Sequence, residues 1–296
     1  MFKKAERKQA RLRLALSGPS GSGKTYSALL IAKGLGGKIA VLDTEHESAS
    51  LYAGMEGIPE FDTCGLEPPY SPERYIEVIK GAEAAGYNTL IIDSYSHEWM
   101  GSGGCLEIND QIARAKYRGN TWSAWNETTP RHRKLIDKIL ATPLHIICTM
   151  RSKTETAQGE DKKVVKLGMK SEQREGSDYE FTTVLDMTHG SGGIANASKD
   201  RTRLFQDPEQ ITEETGQKLL HWLNSGSENP DQRAQSMVVD FIATLDEATT
   251  VADLQAAFAV AWRELNGQDH LQAKVQTAYE ARKQAFTARR QETAYG

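Results

Sequence analysis

No stretch of the sequence is apolar for anything near the roughly 20 residues needed to cross a bilayer, so no membrane role is expected. The first residues, Met1-Phe2-Lys3-Lys4-Ala5-Glu6-Arg7-Lys8, are basic and lack the apolar centre of a signal peptide. Only three cysteines occur, Cys64, Cys105 and Cys148, far apart and in no metal-ligating spacing. That argues against a disulfide scaffold and suits a reducing cytoplasm. There is no excess of positive charge: 36 Lys and Arg stand against 40 Asp and Glu, a net charge of −4. Any nucleic-acid binding must therefore come from a local basic patch. Repeats and low-complexity tracts are missing too. At 296 residues the chain accommodates one large domain and one small one.

What is present begins at residues 14–25, Leu-Ala-Leu-Ser-Gly-Pro-Ser-Gly-Ser-Gly-Lys-Thr. The spacing Gly18-x-x-x-x-Gly23-Lys24-Thr25 is that of a phosphate-binding P-loop. Glycines let the backbone curl so that several N–H groups aim at one anion. Residues Gly18, Pro19, Ser20, Gly21, Ser22, Gly23, Lys24, Thr25 and Tyr26 are the expected nucleotide site. Lys24 reaches for the β- and γ-phosphates, and the Thr25 hydroxyl is a ligand for Mg²⁺. The helix that follows adds the positive end of its dipole.

Apolar runs at Arg11–Ser17, Lys38–Asp43, Asn88–Ser94 and Leu144–Thr149 read as buried strands, with a further one at Phe61–Leu66. Helices are expected to about Leu35, from Pro72 to about Ala85, and near 106–117, 121–140 and 211–223. Gly101-Ser102-Gly103-Gly104 reads as a flexible loop, residues 151–176 as polar and without periodicity, and Tyr179–Met187 with Ile194–Ser198 as a hairpin. Alternating strands and helices predict an α/β fold with a mostly parallel sheet and ligands at the carboxyl ends of its strands. Asn224–Asp231 has the composition of a linker, and about 234–247, 251–265 and 270–289 read as three helices. The expected units are a basic segment 1–11, a nucleotide-binding core 12–223, a linker 224–233 and a helical region 234–296.

A P-loop fold needs a second acid for Mg²⁺ and a group that orients the attacking water. Asp93, after Leu90-Ile91-Ile92, is the expected metal acid, its plainer reading being a turn or helix cap. Glu45, just past a strand expected to lie beside the P-loop strand, is the expected water-orienting carboxylate. Asp43 and His46 are its local rivals.

These segments, Gly18–Thr25, Asp43-Thr44-Glu45-His46 with Tyr52-Ala53, and Asp93-Ser94, resemble the ATPase core of bacterial RecA. The chain as a whole is similar to phage and prophage RecA-core ATPases of the AAA-type P-loop class, those grouped with single-strand-annealing Sak proteins. The segments Leu66–Tyr75, Thr129–His132, Thr149–Lys153 and Ala197–Thr202 carry that likeness over about 12–223. The resemblance implies an ATP- and Mg²⁺-dependent, DNA-stimulated ATPase that binds single-stranded DNA and promotes annealing or strand exchange in a bacterial cytoplasm. It further implies rings or filaments of the chain with ATP at their seams, and a single-strand-binding protein as a further partner. Glu45 then matches the catalytic carboxylate, and Lys199 and Arg201 match paired interface cations reaching a neighbour's γ-phosphate. Residues 151–176 take the place of a DNA-binding loop, with Arg151, Lys153, Lys162, Lys163, Lys166, Lys170 and Arg174 as its cations. That loop holds no aromatic residue, and Trp122 and Trp125 are stacking groups or core.

Two departures stand out. Thr149 or Met150 stands where RecA carries a glutamine that couples nucleotide to DNA, and RecA's larger N-terminal region is missing. Phe2-x-x-Ala5 has the form by which other recombinases dock onto the next subunit. A hexameric motor on the same core, a small-molecule P-loop kinase and a non-hydrolysing DNA-binding scaffold with ATP as a structural ligand are the alternative readings.

Overall fold

The computed structural model describes residues 4–158, 164–227 and 230–295. Strand β1 (Arg13–Gly18) is buried throughout and feeds the P-loop, after which helix α1 (Lys24–Leu35) begins. Strand β2 (Ile39–Asp43) follows, then β3 (Asp62–Gly65), α2 (Pro72–Ala84) and β4 (Thr89–Asp93). Short helix α3 (Ser96–Met100) leads into α4 (Cys105–Lys116) and the long α5 (Thr121–Ala141). Strands β5 (His145–Gln158), β6 (Val164–Ser171), β7 (Thr183–Met187), β8 (Ile194–Asp200) and β9 (Glu209–Gln210) come next. Helix α6 (Glu213–Asn224) precedes the C-terminal helices α7 (Pro230–Glu247), α8 (Val251–Glu264) and α9 (Asp269–Tyr295).

The strand order is β3-β2-β4-β5-β1-β7-β8-β9, parallel from β3 through β7 and antiparallel beyond. The expected α/β class and mostly parallel sheet are therefore present, as is the helical C-terminal region. The order corrects one expectation. Strand β2 does not lie beside the P-loop strand, because β4 and β5 stand between them. Glu45 owes its place to the turn after β2, described below.

Fully apolar strands need cover on both faces. One face packs against α1 and α6 through Leu14, Leu16, Val41, Ile91 and Ile147. The other packs through Leu42, Ile92, Ile146 and Cys148 against Tyr75 and Ile79 of α2 and Leu135 and Ile139 of α5. Helices α1 and α6 cross backbone to backbone. A Cβ on Gly34 would stand 2.1 Å from the Glu213 carbonyl oxygen, and one on Gly216 2.2 Å from that of Ile31. The crossing fixes the helix that carries the P-loop. Helices α7–α9 form their own cluster around Phe241, Leu254, Leu265 and Val275.

Three local expectations change. Residues 151–158 are not a loop: β5 continues outward to Gln158 and pairs antiparallel with β6, Lys153 opposite Lys170. Residues 101–104 form a packed turn, where the Tyr70 N–H donates to the Ser102 carbonyl (2.8 Å) and the Gly103 N–H to Glu107 Oε2 (2.6 Å). The strand expected from Tyr179 starts only at Thr183, after a helical turn at Ser177–Glu180. At the N-terminus, the Arg7 guanidinium lies 4.0 Å from the centre of the Trp222 ring, and Gln9 N–H donates to the Ser227 carbonyl (2.9 Å). That segment is thus tied to the end of α6. Ala5 is exposed, and Phe2, Lys162 and Lys163 lie outside the described residues.

Candidate nucleotide-binding site

The site forms where β1, β2 and β4 end beside the middle of β5. Gly18 closes β1 against the β7–β8 hairpin: a Cβ there would meet Ser22 Oγ at 2.5 Å and the Met187 carbonyl at 2.8 Å. Gly21 and Gly23 take positive φ, 75° and 87°, which turn the loop into the start of α1. His189 in the hairpin turn braces the loop, its Nδ1 3.0 Å from the Ser20 carbonyl oxygen. The Ser22 hydroxyl is buried in the cradle with no partner among the described residues. Lys24 Nζ donates to the carbonyls of Gly18 (3.0 Å) and Pro19 (2.9 Å). Burial lowers its pKa, and the charges of Asp93 and Glu45 oppose that shift. Tyr26, on the first turn of α1, packs against Tyr52 with ring centres 5.7 Å apart.

Asp93 is buried at the end of β4, between two threonines. Thr25 donates to its Oδ2 (2.6 Å) and Thr149, on the neighbouring β5, to its Oδ1 (2.5 Å). Burial raises the Asp93 pKa, and the two hydroxyl hydrogen bonds pull the other way. A carboxylate beside the P-loop hydroxyl, in a cradle too tight for a Cβ, is a donor set that fits magnesium on a triphosphate. Thr25 and Asp93 are the residues that would hold it.

Glu45 enters the same cleft from the turn after β2. Asp43 builds that turn: its Oδ1 accepts the Glu45 N–H (2.6 Å) and its Oδ2 the Ala49 N–H (3.0 Å). The carboxylate of Asp43 is thereby committed to backbone, while His46 is exposed at positive φ, 55°. Of the three rivals only Glu45 presents its side chain to the cleft. Arg151 grips it from β5, Nε donating to Oε1 (2.8 Å) and Nη2 to Oε2. Burial alone would raise the Glu45 pKa. The hydrogen bonds and charge of Arg151, with a smaller effect of His97, outweigh it and hold the carboxyl below its ordinary range. His97 is itself fixed by Thr44 Oγ1 (2.8 Å) and stacked on Tyr70, ring centres 5.1 Å apart.

These groups line one open cleft of about 570 Å³ that includes Gly21, Lys24, Thr25, Glu45, Asp93 and Arg151. The family model of the AAA domain matches residues 10–216, from the approach to β1 into α6. The chain belongs to the AAA domain family. No curated protein matches it. Among solved structures the crystal structure of the RadB recombinase is similar, at 19% identity and a TM-score of 0.37, over 70% of this chain and 90% of that one. In this AAA domain the P-loop, Asp93 and Glu45 share the cleft.

Other expected residues lie elsewhere. Lys199 on β8 and Arg201 just past its end are outside the cleft. Lys199 Nζ donates to the carbonyls of Asp178 (2.7 Å) and Tyr179 (2.6 Å), and Arg201 Nη2 to that of Tyr179 (3.3 Å). Both cations thus face the exposed Tyr179, in line with their shared direction. Burial and the neighbouring Arg201 lower the Lys199 pKa. Of the expected DNA-binding cations, Arg151 points into the nucleotide cleft. Lys153 and Lys170 pair across the ribbon and Arg174 lies beyond it, while the backbone alone of Lys166 is described. The Arg151 position was missed, although strand alternation puts residues 149 and 151 on one face of β5.

Proposed function

We propose that this AAA domain protein hydrolyses ATP in the described cleft and couples that hydrolysis to single-stranded DNA, promoting annealing or strand exchange in phage recombination. One observation carries the reading. Strand β5 brings Thr149 to Asp93 and Arg151 to Glu45, and then runs without a break into the ribbon where Lys153 stands opposite Lys170. A strand shared by two sites is a direct mechanical link between them.

In this reading Lys24 leaves the Gly18 and Pro19 carbonyls for the phosphates. Thr25 and Asp93 would hold magnesium, which would screen phosphate charge. Glu45, kept ionised by Arg151, orients the attacking water once the arginine yields one of its oxygens. A second copy of the chain supplies Lys199 and Arg201 to the γ-phosphate, where positive charge stabilises the transition state.

The test is ATP turnover with and without an unstructured oligonucleotide, beside annealing of complementary strands. Wild-type turnover should rise with the oligonucleotide. Glu45→Gln should lose about a hundredfold or more in turnover, the range for a lost general base, and keep nucleotide binding. Turnover indifferent to DNA would refute the reading.

A further inference from the structure

Three of the five tryptophans line one open cavity of about 570 Å³ that shares no lining residue with the nucleotide cleft. Trp99 of α3 and Trp125 of α5 lie face to face, ring centres 5.4 Å apart and planes 15° from parallel. The Arg174 guanidinium stands 6.0 Å from each ring centre. Trp122, one turn back on α5, leaves 85% of its surface to solvent. A large ring so exposed contributes almost nothing to packing, so its place at the mouth of an aromatic cavity asks for a ligand. Polar recognition is at hand. Pro130 lies inside α5 and has no N–H, which deprives the Asn126 carbonyl of its regular helical donor. Asn126 and Pro130 both line the cavity.

The neighbouring charges favour a polyanion. Arg174 follows the ribbon, in which Lys153 and Lys170 are directly opposite one another, with Lys153 Nζ also 3.3 Å from Glu172 Oε1. Of the acids nearby, Glu127 is bonded to Lys116 (2.6 Å) and Tyr117 (3.0 Å), and Glu175 stands at the rim. The cavity also joins the nucleotide site through buried contacts. Gln173, adjacent to Arg174, donates to the Tyr95 carbonyl (3.0 Å) and to Glu98 Oε2 (3.4 Å). Glu98 Oε1 is 2.9 Å from His132 Nδ1, and the His132 ring meets Trp99 edge-on. The Tyr95 N–H donates to the carbonyl of Thr149, whose hydroxyl holds Asp93.

We infer that Trp122, with the Trp99–Trp125 pair and Arg174, is a stacking platform for the bases of single-stranded DNA, its phosphates following Lys170 and Lys153 along the ribbon. The inference rests on the DNA-coupled reading above and names where the bases sit. Every base has a π-face, so such a platform binds with little regard to sequence.

The test uses the full chain, a labelled oligothymidylate and a strand of equal length with abasic positions, read by anisotropy and by intrinsic tryptophan fluorescence. Oligothymidylate should quench the wild-type fluorescence, and the abasic strand should bind more weakly. Trp122→Ala should weaken oligothymidylate binding about five- to a hundredfold, the range for one lost stacking contact, and erase the preference for bases. Trp122→Phe should restore most of both. Unchanged melting would show that Trp122→Ala is folded. Wild-type affinity and quenching in Trp122→Ala would overturn the platform and leave the DNA reading intact. No binding of either strand by the wild type would overturn both. A fall in oligomer mass in Trp122→Ala with DNA affinity unchanged would assign the surface to a protein contact and overturn the platform.

Discussion

Arg151 holds both carboxylate oxygens of Glu45, across the gap between the middle of β5 and the turn after β2. The pair does two things at once. It keeps Glu45 ionised against burial, and it takes one acceptor site on each oxygen, where the proposed mechanism would place the attacking water. Because Arg151 lies two residues before Lys153 on one strand, DNA bound to the ribbon as proposed would act on the pair. Arg151→Ala should therefore uncouple the two sites. The ratio of DNA-stimulated to basal ATP turnover is expected to fall to near one, whatever the absolute rate. A ratio equal to wild type would exclude Arg151 as the link.

The two threonines on Asp93 support a second prediction. Thr149→Val removes one of its hydroxyl donors and keeps the volume of the side chain nearly unchanged. A hydrogen bond to a charged group is worth about 1.5–3 kcal/mol, and its loss leaves a buried carboxylate less satisfied. The Asp93 pKa, already raised by burial, should rise further. The magnesium concentration for half-maximal turnover should increase about tenfold, readable by titration at fixed ATP. An unmoved midpoint would mean that Thr25 alone suffices to organise the acid.

Much of this site was legible because its signals are local. The P-loop is written in consecutive residues, and Asp93 ends an apolar run that only a buried strand explains. Sheet order is not local. Nothing in Ile39–Asp43 says that Thr89–Asp93, rather than Arg13–Gly18, will be its neighbour, so Glu45 was expected in the right place for the wrong reason. The ribbon was missed for a related cause. Around Thr154-Glu155-Thr156 neither face is apolar, so no hydrophobic alternation reports the strand. The Arg7 contact with Trp222 joins residues more than 200 positions apart and leaves no mark on either segment alone.

Lys199 and Arg201 make the prediction most sensitive to assembly. Their own cleft does not include them, so any role in hydrolysis must be exerted on another copy. Lys199→Ala should abolish DNA-stimulated turnover and spare nucleotide binding. Lys24→Ala should be inactive in its own cleft and still carry an intact Lys199. Mixing the two inactive variants should recover a measurable fraction of wild-type turnover, because some seams then pair an intact cleft with an intact lysine. Recovery in no proportion of the two would place Lys199 outside the reaction.

His145 gives the stability of the fold a definite pH dependence. Its ring is buried where β5 begins, with Nδ1 accepting the Leu12 N–H (3.1 Å) and Nε2 beside the Arg11 guanidinium (3.0 Å). Burial first, then the charges of Arg11 and Arg13, lower its pKa from 6.5 to about 3. The neutral ring is thus the folded form, and the unfolded chain takes up a proton first as the pH drops. Stability is complete above about pH 6.5 and is lost progressively as the pH falls toward 3. At about 1.36 kcal/mol per unit, the loss from this group at pH 4.5 is about 2–3 kcal/mol. Asn at this position keeps an acceptor for the Leu12 N–H and cannot ionise. Unfolding free energies from urea titrations at pH 7.5 and 4.5 should therefore differ less for His145→Asn than for wild type, by about 2–3 kcal/mol. Equal differences in the two proteins would assign the acid sensitivity to carboxylates and clear His145 of it.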